Sequence, residues 1–548
     1  MKKWTHHDIE AFRALILQCD EKSISDKLDF LIQHEASNLK AFMAFHDALL
    51  MLCAYPPSEN VYYKAEEQLW NFESTLIKFL RRKQIGKEQT VNTGLAGTRV
   101  DGAFSLELLY QLGKHCPENI ILHSFDPEGK SVYEALRYVL PAAEFDVLTG
   151  DEKNQRVLEL LFGDKKGLNR LVKLIYESGQ PFAFRDYLFE QLKAYASVQL
   201  KGMIQGRTGS RAPVSSLFIH ESIEKKCDHA SIIDQPLPQE TRLSKEQKEK
   251  LFLHSRIMLL TLNRETDPVT YGDADGLKYF ELDRGFSVAL FSMRPERRLA
   301  FDSYIGFMMY KNGLPVAYGG AWMFIQRAMF GINIFEPYRG GESAMVFAQL
   351  LRTYHQLFDV RQFSVEPYQF GRGNPEGIAS GAYWFYYRFG FRSDDAKIST
   401  IAEKEMKKIA SKKGYRTPPE ILLKFTESNI TLLLHGHERS TAPDAGALSK
   451  LLSEKILIQY SGDRSAALLD VRNKAESILG ESLNKLISKN DLNFCNDYLL
   501  WLLVMERPEK ITEKELRTWI HLASLKCSGD EYAYIAELNK WSRGWEVK

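Results

Sequence analysis

Residues 332–351 read INIFEPYRGGESAMVFAQLL. An apolar run ends at Glu336-Pro337, a turn through Arg339, Gly340, Gly341 and Glu342 follows, and a helical period opens at Ser343 and Ala344. A helix start leaves four unpaired N–H groups and a partial positive charge. With a strand before it and glycines between, those amides converge on an anion such as a diphosphate. Here Arg339 adds a cation, Gly340 and Gly341 let a backbone approach closely, and Ser343 is small and able to cap. The same residues also make an ordinary tight strand-to-helix turn, so the turn alone allows two readings.

Other stretches carry less chemistry. GLAGTRVDG, at 94–102, is glycine-rich but has no Lys-Ser/Thr pair of a nucleotide-binding loop. His6-His7 and His435-Gly436-His437 lack accompanying cysteines or acids at ligand spacing, and no metal site is expected. Cys19, Cys53, Cys116, Cys227, Cys495 and Cys527 are scattered without a CxxC pair, as reduced thiols of a bacterial-type cytoplasm are. The basic runs at 81–83 and 407–413 read as solvated helix faces.

The elements that must position the turn are legible on both sides of it. LKYFELDRGFSVALFSM reads as extended, and SYIGFMMY-KNG-LPVAYGGAWMFI as a β-hairpin closed by Asn-Gly. RAMFGINIF is a further strand, SAMVFAQLLRTYHQLF a helix and RQFSVEP another strand; GIASGAYWFYYRFG is a second helix closing on Gly-Phe. Before this block, residues 4–85 have the helical period. NIILHSF and EFDVLTG suggest short strands, and helical patterns resume over 155–200. Gly/Pro/Ser-rich segments near 206–246 and the polar stretch HGHERSTAPDAG at 435–446 read as linkers, and roughly the last hundred residues have the helical period.

Length and composition bound the rest. At 548 residues, two to four domains are expected. Lys plus Arg (72) against Asp plus Glu (71) gives no general attraction to nucleic acid or to an anionic membrane. No apolar run is long enough to span a bilayer, and the polar start lacks a signal-peptide core. A cytoplasmic location and no nucleic-acid or membrane partner are expected.

From about Leu277 to Phe391 the order of elements, the turn Arg339-Gly340-Gly341-Glu342-Ser343-Ala344 and the run from Gly381 to Phe391 resemble the GNAT superfamily of N-acetyltransferases. In that family two neighbouring strands splay, acyl-CoA lies in the gap, and its pyrophosphate sits on an Arg/Gln-x-x-Gly-x-Gly/Ala loop. Arg339 and Ala344 match the ends of the loop, whereas Glu342 stands where the family has glycine. A carboxylate there repels a diphosphate unless it points away. The resemblance implies an α/β (α+β) fold, with a GNAT-like mixed sheet over 236–430 between mainly helical regions at 1–235 and 440–548.

It further implies an acyl-CoA-dependent N-acyltransferase using acetyl-CoA or another acyl-CoA as co-substrate, with an unidentified small-molecule or protein amine as acceptor. Arg339, Gly340, Gly341, Ser343 and Ala344 would hold the pyrophosphate, and the edge Asn333, Ile334 and Phe335 the pantetheine arm. Tyr386, four residues before Gly390, stands where the family often places the tyrosine that protonates the departing thiolate, with Tyr387 as its nearest substitute. Acyl transfer also needs a proton acceptor; Glu336 and Glu366, each before a proline at a strand end, are the carboxylates so placed. The alternative is an inactive scaffold of the same fold that binds a protein partner through its helical flanks. A weaker one is an aminoacyl-tRNA-dependent transferase of related fold.

Overall fold

The structure, a computed structural model, describes residues 3–146, 148, 150, 152–164, 167–434, 437, 439, 444–480, 483, 492–504, 511–528 and 530–542. His435 and Gly436 of the His-Gly-His stretch lie outside the described residues. The chain is mixed α/β with one large mixed sheet.

The N-terminal helices fall at 6–16, 21–33, 39–54, 59–70 and 72–83. The middle one, α1 (Leu39–Ala54), starts at Asn38, whose side chain accepts the Ala41 amide at 2.9 Å. From Ala48 to Ala54 every residue of α1 is buried, so it serves as an internal strut and not as a surface helix.

A small unit follows. Strands β1 (Arg99–Gly102), β2 (Ile120–Phe125) and β3 (Ala194–Gln199) form an antiparallel sheet in the order β1-β3-β2. This corrects the expectation of continuous helix over 155–200: 194–199 alternates well enough to be captured as the central strand, where cross-strand pairing overrides helical period. Ile120–Phe125 is a strand as expected. Of EFDVLTG, residues 144–150, Glu144 and Phe145 belong to the short helix Ala142–Phe145 behind Pro141 and are not a strand, while Val147 and Thr149 lie outside the described residues. One face of α2 (Lys245–Leu260), through Leu253, Ile257 and Leu260, completes the core of this unit.

The central sheet comprises β4 (Gly272–Glu281), β5 (Phe286–Met293), β6 (Ser303–Lys311), β7 (Leu314–Phe324), β8 (Arg327–Ile334), β9 (Gln362–Val365), β10 (Arg392–Ser393) and β11 (Ile430–Leu433). Its order is β10-β11-β9-β8-β7-β6-β5-β4, with β8 and β9 the one parallel pair among these strands. The β6–β7 hairpin turns at Asn312 (φ 47°) and Gly313 (φ 78°), the two left-handed residues that an Asn-Gly turn supplies. Every residue of β5 is buried, as befits a sheet covered on both faces.

Between β8 and β9 runs α3 (Ser343–Phe358). The expected single helix after β9 is two, α4 (Pro375–Ser380) and α5 (Ala382–Arg388), because Gly381 takes φ 65° and breaks the ladder. Near the end of the chain α6 (Glu513–Ser528) and α7 (Glu531–Ser542) return to the sheet. There the Asn539 side chain donates to Phe358 O at 2.8 Å, and the Tyr534 hydroxyl to Phe301 O at 2.9 Å. The N-terminal helices, the sheet and the C-terminal helices contribute to one contiguous apolar core. No helix among the described residues is long and apolar enough to cross a membrane.

Candidate functional site

The site starts from incomplete pairing. Of β8, only Arg327, Ala328 and Met329 face β9, opposite Gln362, Phe363 and Ser364. From Phe330 to Ile334 the strand has no strand partner on that side among the described residues, while its pairing with β7 continues to Ile334↔Ala317. The reason is local: β9 ends at Val365, and Glu366-Pro367 turns into a short 3-10 segment.

A cavity of about 740 Å³ occupies the gap. Side chains alternate across a sheet, so register decides which wall each residue forms. Phe330 packs edge-on against Phe347 of α3, which puts Phe330, Ile332 and Ile334 on the α3 side. Met329, Gly331 and Asn333 lie on the opposite face, across from Trp322, Gly320 and Tyr318 of β7. Residues of both sets line the cavity, which therefore wraps the free edge of β8 and reaches both faces of the sheet.

The turn sits at the α3-side mouth. A 3-10 segment, 336–338, brings the chain round, held by Arg13, whose guanidinium donates to Pro337 O at 2.9 Å. Gly340 is left-handed at φ 87°. A Cβ on Gly341 would stand 2.8 Å from the Tyr55 hydroxyl and 2.9 Å from its ring, so α1 closes on the turn as far as bare backbone permits. The first bond of α3 runs from Val346 N to Glu342 O, and no side chain caps the helix. The amides of Ser343, Ala344 and Met345 thus precede the helical ladder.

Glu342 points away from the mouth. It is fully buried, its Oε2 accepting from Lys311 Nζ at 2.6 Å and its Oε1 from Arg284 at 2.5 Å and Glu224 N at 3.1 Å. The His220 ring lies 4.0 Å away. Burial pulls Lys311 down to about 8, against the upward pull of Glu342; His220 is pulled to about 2 by burial, with Lys311 and Arg284 adding repulsion. The residue that departs from the loop pattern is a tether between turn, hairpin and N-terminal region, and it does not line the cavity.

Of the residues singled out in the sequence, Asn333, Ile334, Arg339, Ser343, Glu366 and Tyr386 line the cavity together. Gly340, Gly341 and Ala344 shape the turn without lining it. Phe335 and Glu336 face a second cavity of about 580 Å³ beyond the turn, between the first helices and α2, so Glu336 is not brought to Tyr386. Tyr387 does not line the site; its ring lies beneath the Arg392 guanidinium, at 3.8 Å.

Tyr386 is buried among Phe347, Phe370 and Phe391, and burial pushes its phenol well above the usual tyrosine range. It therefore stays protonated at neutral pH. Arg339 donates to Ile334 O at 3.2 Å and pairs closely with Glu376 of α4 at the mouth. Glu366 is exposed and forms no ion pair or side-chain hydrogen bond among the described residues.

Sequence reasoning missed Arg264, Tyr304, Tyr318, Trp322 and Glu376, all on the cavity wall. One signal was present: Gly319-Gly320 inside a strand, which marks close backbone approach. A Cβ on Gly319 would lie 2.0 Å from Gly331 O. No protein-family profile, curated protein or solved structure matches the chain.

Proposed function

We propose that the chain is an acyl-CoA-dependent N-acyltransferase built on a GNAT-like sheet. The observation that carries this reading is the parting of β8 from β9 after three paired residues, with a cavity through the gap and free helix-start amides at its mouth. Arg339 and the amides at Ser343–Met345 suit a diphosphate, and the free edge from Phe330 to Ile334 suits the amide-bearing arm of the co-substrate. An amine entering from the opposite face meets the thioester in the gap, so orientation supplies much of the rate. The amine nitrogen attacks the thioester carbonyl, a C–N bond forms as the C–S bond breaks, Glu366 takes the ammonium proton, and Tyr386 protonates the leaving thiolate.

Thermal unfolding with and without acetyl-CoA tests this. At a hundred times its dissociation constant the ligand adds about 2.7 kcal/mol of stability. Absence of any shift at millimolar acetyl-CoA and coenzyme A sinks the proposal. The second reading, an inactive scaffold, draws on the engagement of the Arg339 fork by Glu376.

A further inference from the structure

We propose that the face of the cavity opposite α3 is an acceptor subsite for an amine that also carries a carboxylate and a planar ring, that is, an aromatic amino acid with a free α-amine. As an acceptor assignment it rests on the acyl-transfer reading; as a binding site it does not.

The planar component follows from β6 and β7. Tyr304 and Trp322 are register partners, and their rings stack at 4.1 Å with 10° between planes. Trp322 keeps 38% of its surface exposed, so one indole face is open beside the cavity that both residues line. The neighbouring glycines are covered by side chains, which lie where a Cβ would stand. A Cβ on Gly320 would meet the Tyr304 ring at 2.6 Å, and one on Gly331 the Gln369 amide at 3.1 Å. A flat ring lying on the exposed part of Trp322 gains stacking and apolar burial.

The carboxylate and the ammonium follow from the charges that remain unengaged. Three carboxylates line the cavity. Glu265 accepts from Ser105 N at 2.8 Å, Ser105 Oγ at 2.6 Å and Thr270 Oγ1 at 3.1 Å, which fixes its segment to the small α/β unit. Glu376 is paired with Arg339. Glu366 is left for an ammonium. Among the cavity guanidiniums, Arg264 and Arg388 form no ion pair among the described residues.

Arg388 belongs to α5 with Tyr386, whereas Arg264 comes from the segment after α2 and lines the cavity with Tyr304, Tyr318 and Trp322. Tyr318 and Asn333 line the same cavity as Arg264. The Tyr318 oxygen itself accepts from Asn333 at 3.1 Å. A guanidinium in the same cavity as a partly exposed indole selects a carboxylate on the ligand and repels a second cation, so diamines and polyamines fit poorly.

The experiment is calorimetric titration of the full chain, with coenzyme A present and absent, using L-phenylalanine, L-tryptophan, phenethylamine, 3-phenylpropanoate and putrescine. The aromatic amino acids are expected to bind, and phenethylamine to bind roughly tenfold more weakly or worse. Arg264→Gln should erase the preference for the carboxylate, and Trp322→Ala should weaken both amino acids. Both side chains are exposed, and a melting temperature within a few degrees of wild type certifies each variant. Phenethylamine binding as tightly as L-phenylalanine, putrescine outcompeting both, or indifference to Arg264→Gln overturns the inference. So does absence of amino-acid binding where coenzyme A binds, which leaves acyl transfer standing. Conversely, Arg264-dependent binding of L-phenylalanine to a chain that ignores acetyl-CoA upholds the site and removes the acyl-transfer role.

Discussion

Glu342 Oε2 accepts a 2.6 Å hydrogen bond from Lys311 Nζ, and neither side chain has any solvent exposure. The pair joins the turn after β8 to the β6–β7 hairpin, and Arg284 and the Glu224 amide complete the carboxylate's shell. Removing Glu342 strands the Lys311 ammonium in the core, and removing Lys311 leaves the buried carboxylate with Arg284 as its one cation among the described residues. Glu342→Ala and Lys311→Ala should each cost about 3–5 kcal/mol in denaturant unfolding, whereas Lys311→Met with Glu342→Leu should recover much of the loss. A loss in Lys311→Ala with Glu342→Ala equal to the sum of the two single losses would show that the pair is not coupled.

Gly341 and Tyr55 make a second, steric link between the turn and the N-terminal helices. Gly341→Ala places a methyl 2.8 Å from the Tyr55 oxygen and should cost roughly 1–3 kcal/mol of stability. Tyr55→Leu has its own penalty but should relieve the clash. A double-mutant cycle therefore gives a coupling energy of opposite sign to the single losses.

At the mouth, Glu376 stands where a diphosphate would engage Arg339. Arg339→Ala should weaken acetyl-CoA binding by roughly ten- to a hundredfold. Glu376→Gln, which frees the fork, should tighten it several-fold. An equal weakening in both variants would mean that the ion pair itself, and not the free guanidinium, shapes the site.

Tyr386→Phe keeps the packing against Phe347 and Phe391 and removes only the hydroxyl. Turnover should fall by about 10²–10⁴-fold with the KM for acetyl-CoA little changed. Tyr387→Phe, outside the cavity, should leave both constants near wild type.

Acid should destabilise the fold in a defined window. Burial pulls His46 to about 4 and His220 to about 2, below the ordinary value of 6.5. Between 6.5 and those values the unfolded chain binds the protons and the folded chain does not, so stability is full above 6.5 and falls as pH drops through the window. Each histidine contributes a slope of about 1.4 kcal/mol per pH unit. Between pH 6.5 and 5, before most carboxylates titrate, His220→Phe should remove its share of that slope in calorimetric melts.

Local pattern was enough for much of the architecture. The Asn312-Gly313 hairpin, β8, α3 and β9 all follow from residues close together in the chain, because alternation, helical period and left-handed turn residues are short-range properties. Gly341 likewise marked a place where backbone comes close to a neighbour, and Gly340 one where the chain turns left-handed. What the sequence could not decide was direction across long separations. Glu336 and Glu366 look alike, each an acid before proline, yet β8 and β9 end at different depths and send them to different cavities. Glu342 looked like an obstacle to an anion until Lys311, Arg284 and the backbone at Glu224 met it from distant segments. The aromatic platform escaped notice because Tyr304 and Trp322 are partners only through register. Pairing register, burial of charge and the width of a gap belong to contacts between remote parts of the chain, and only the folded sheet fixes them.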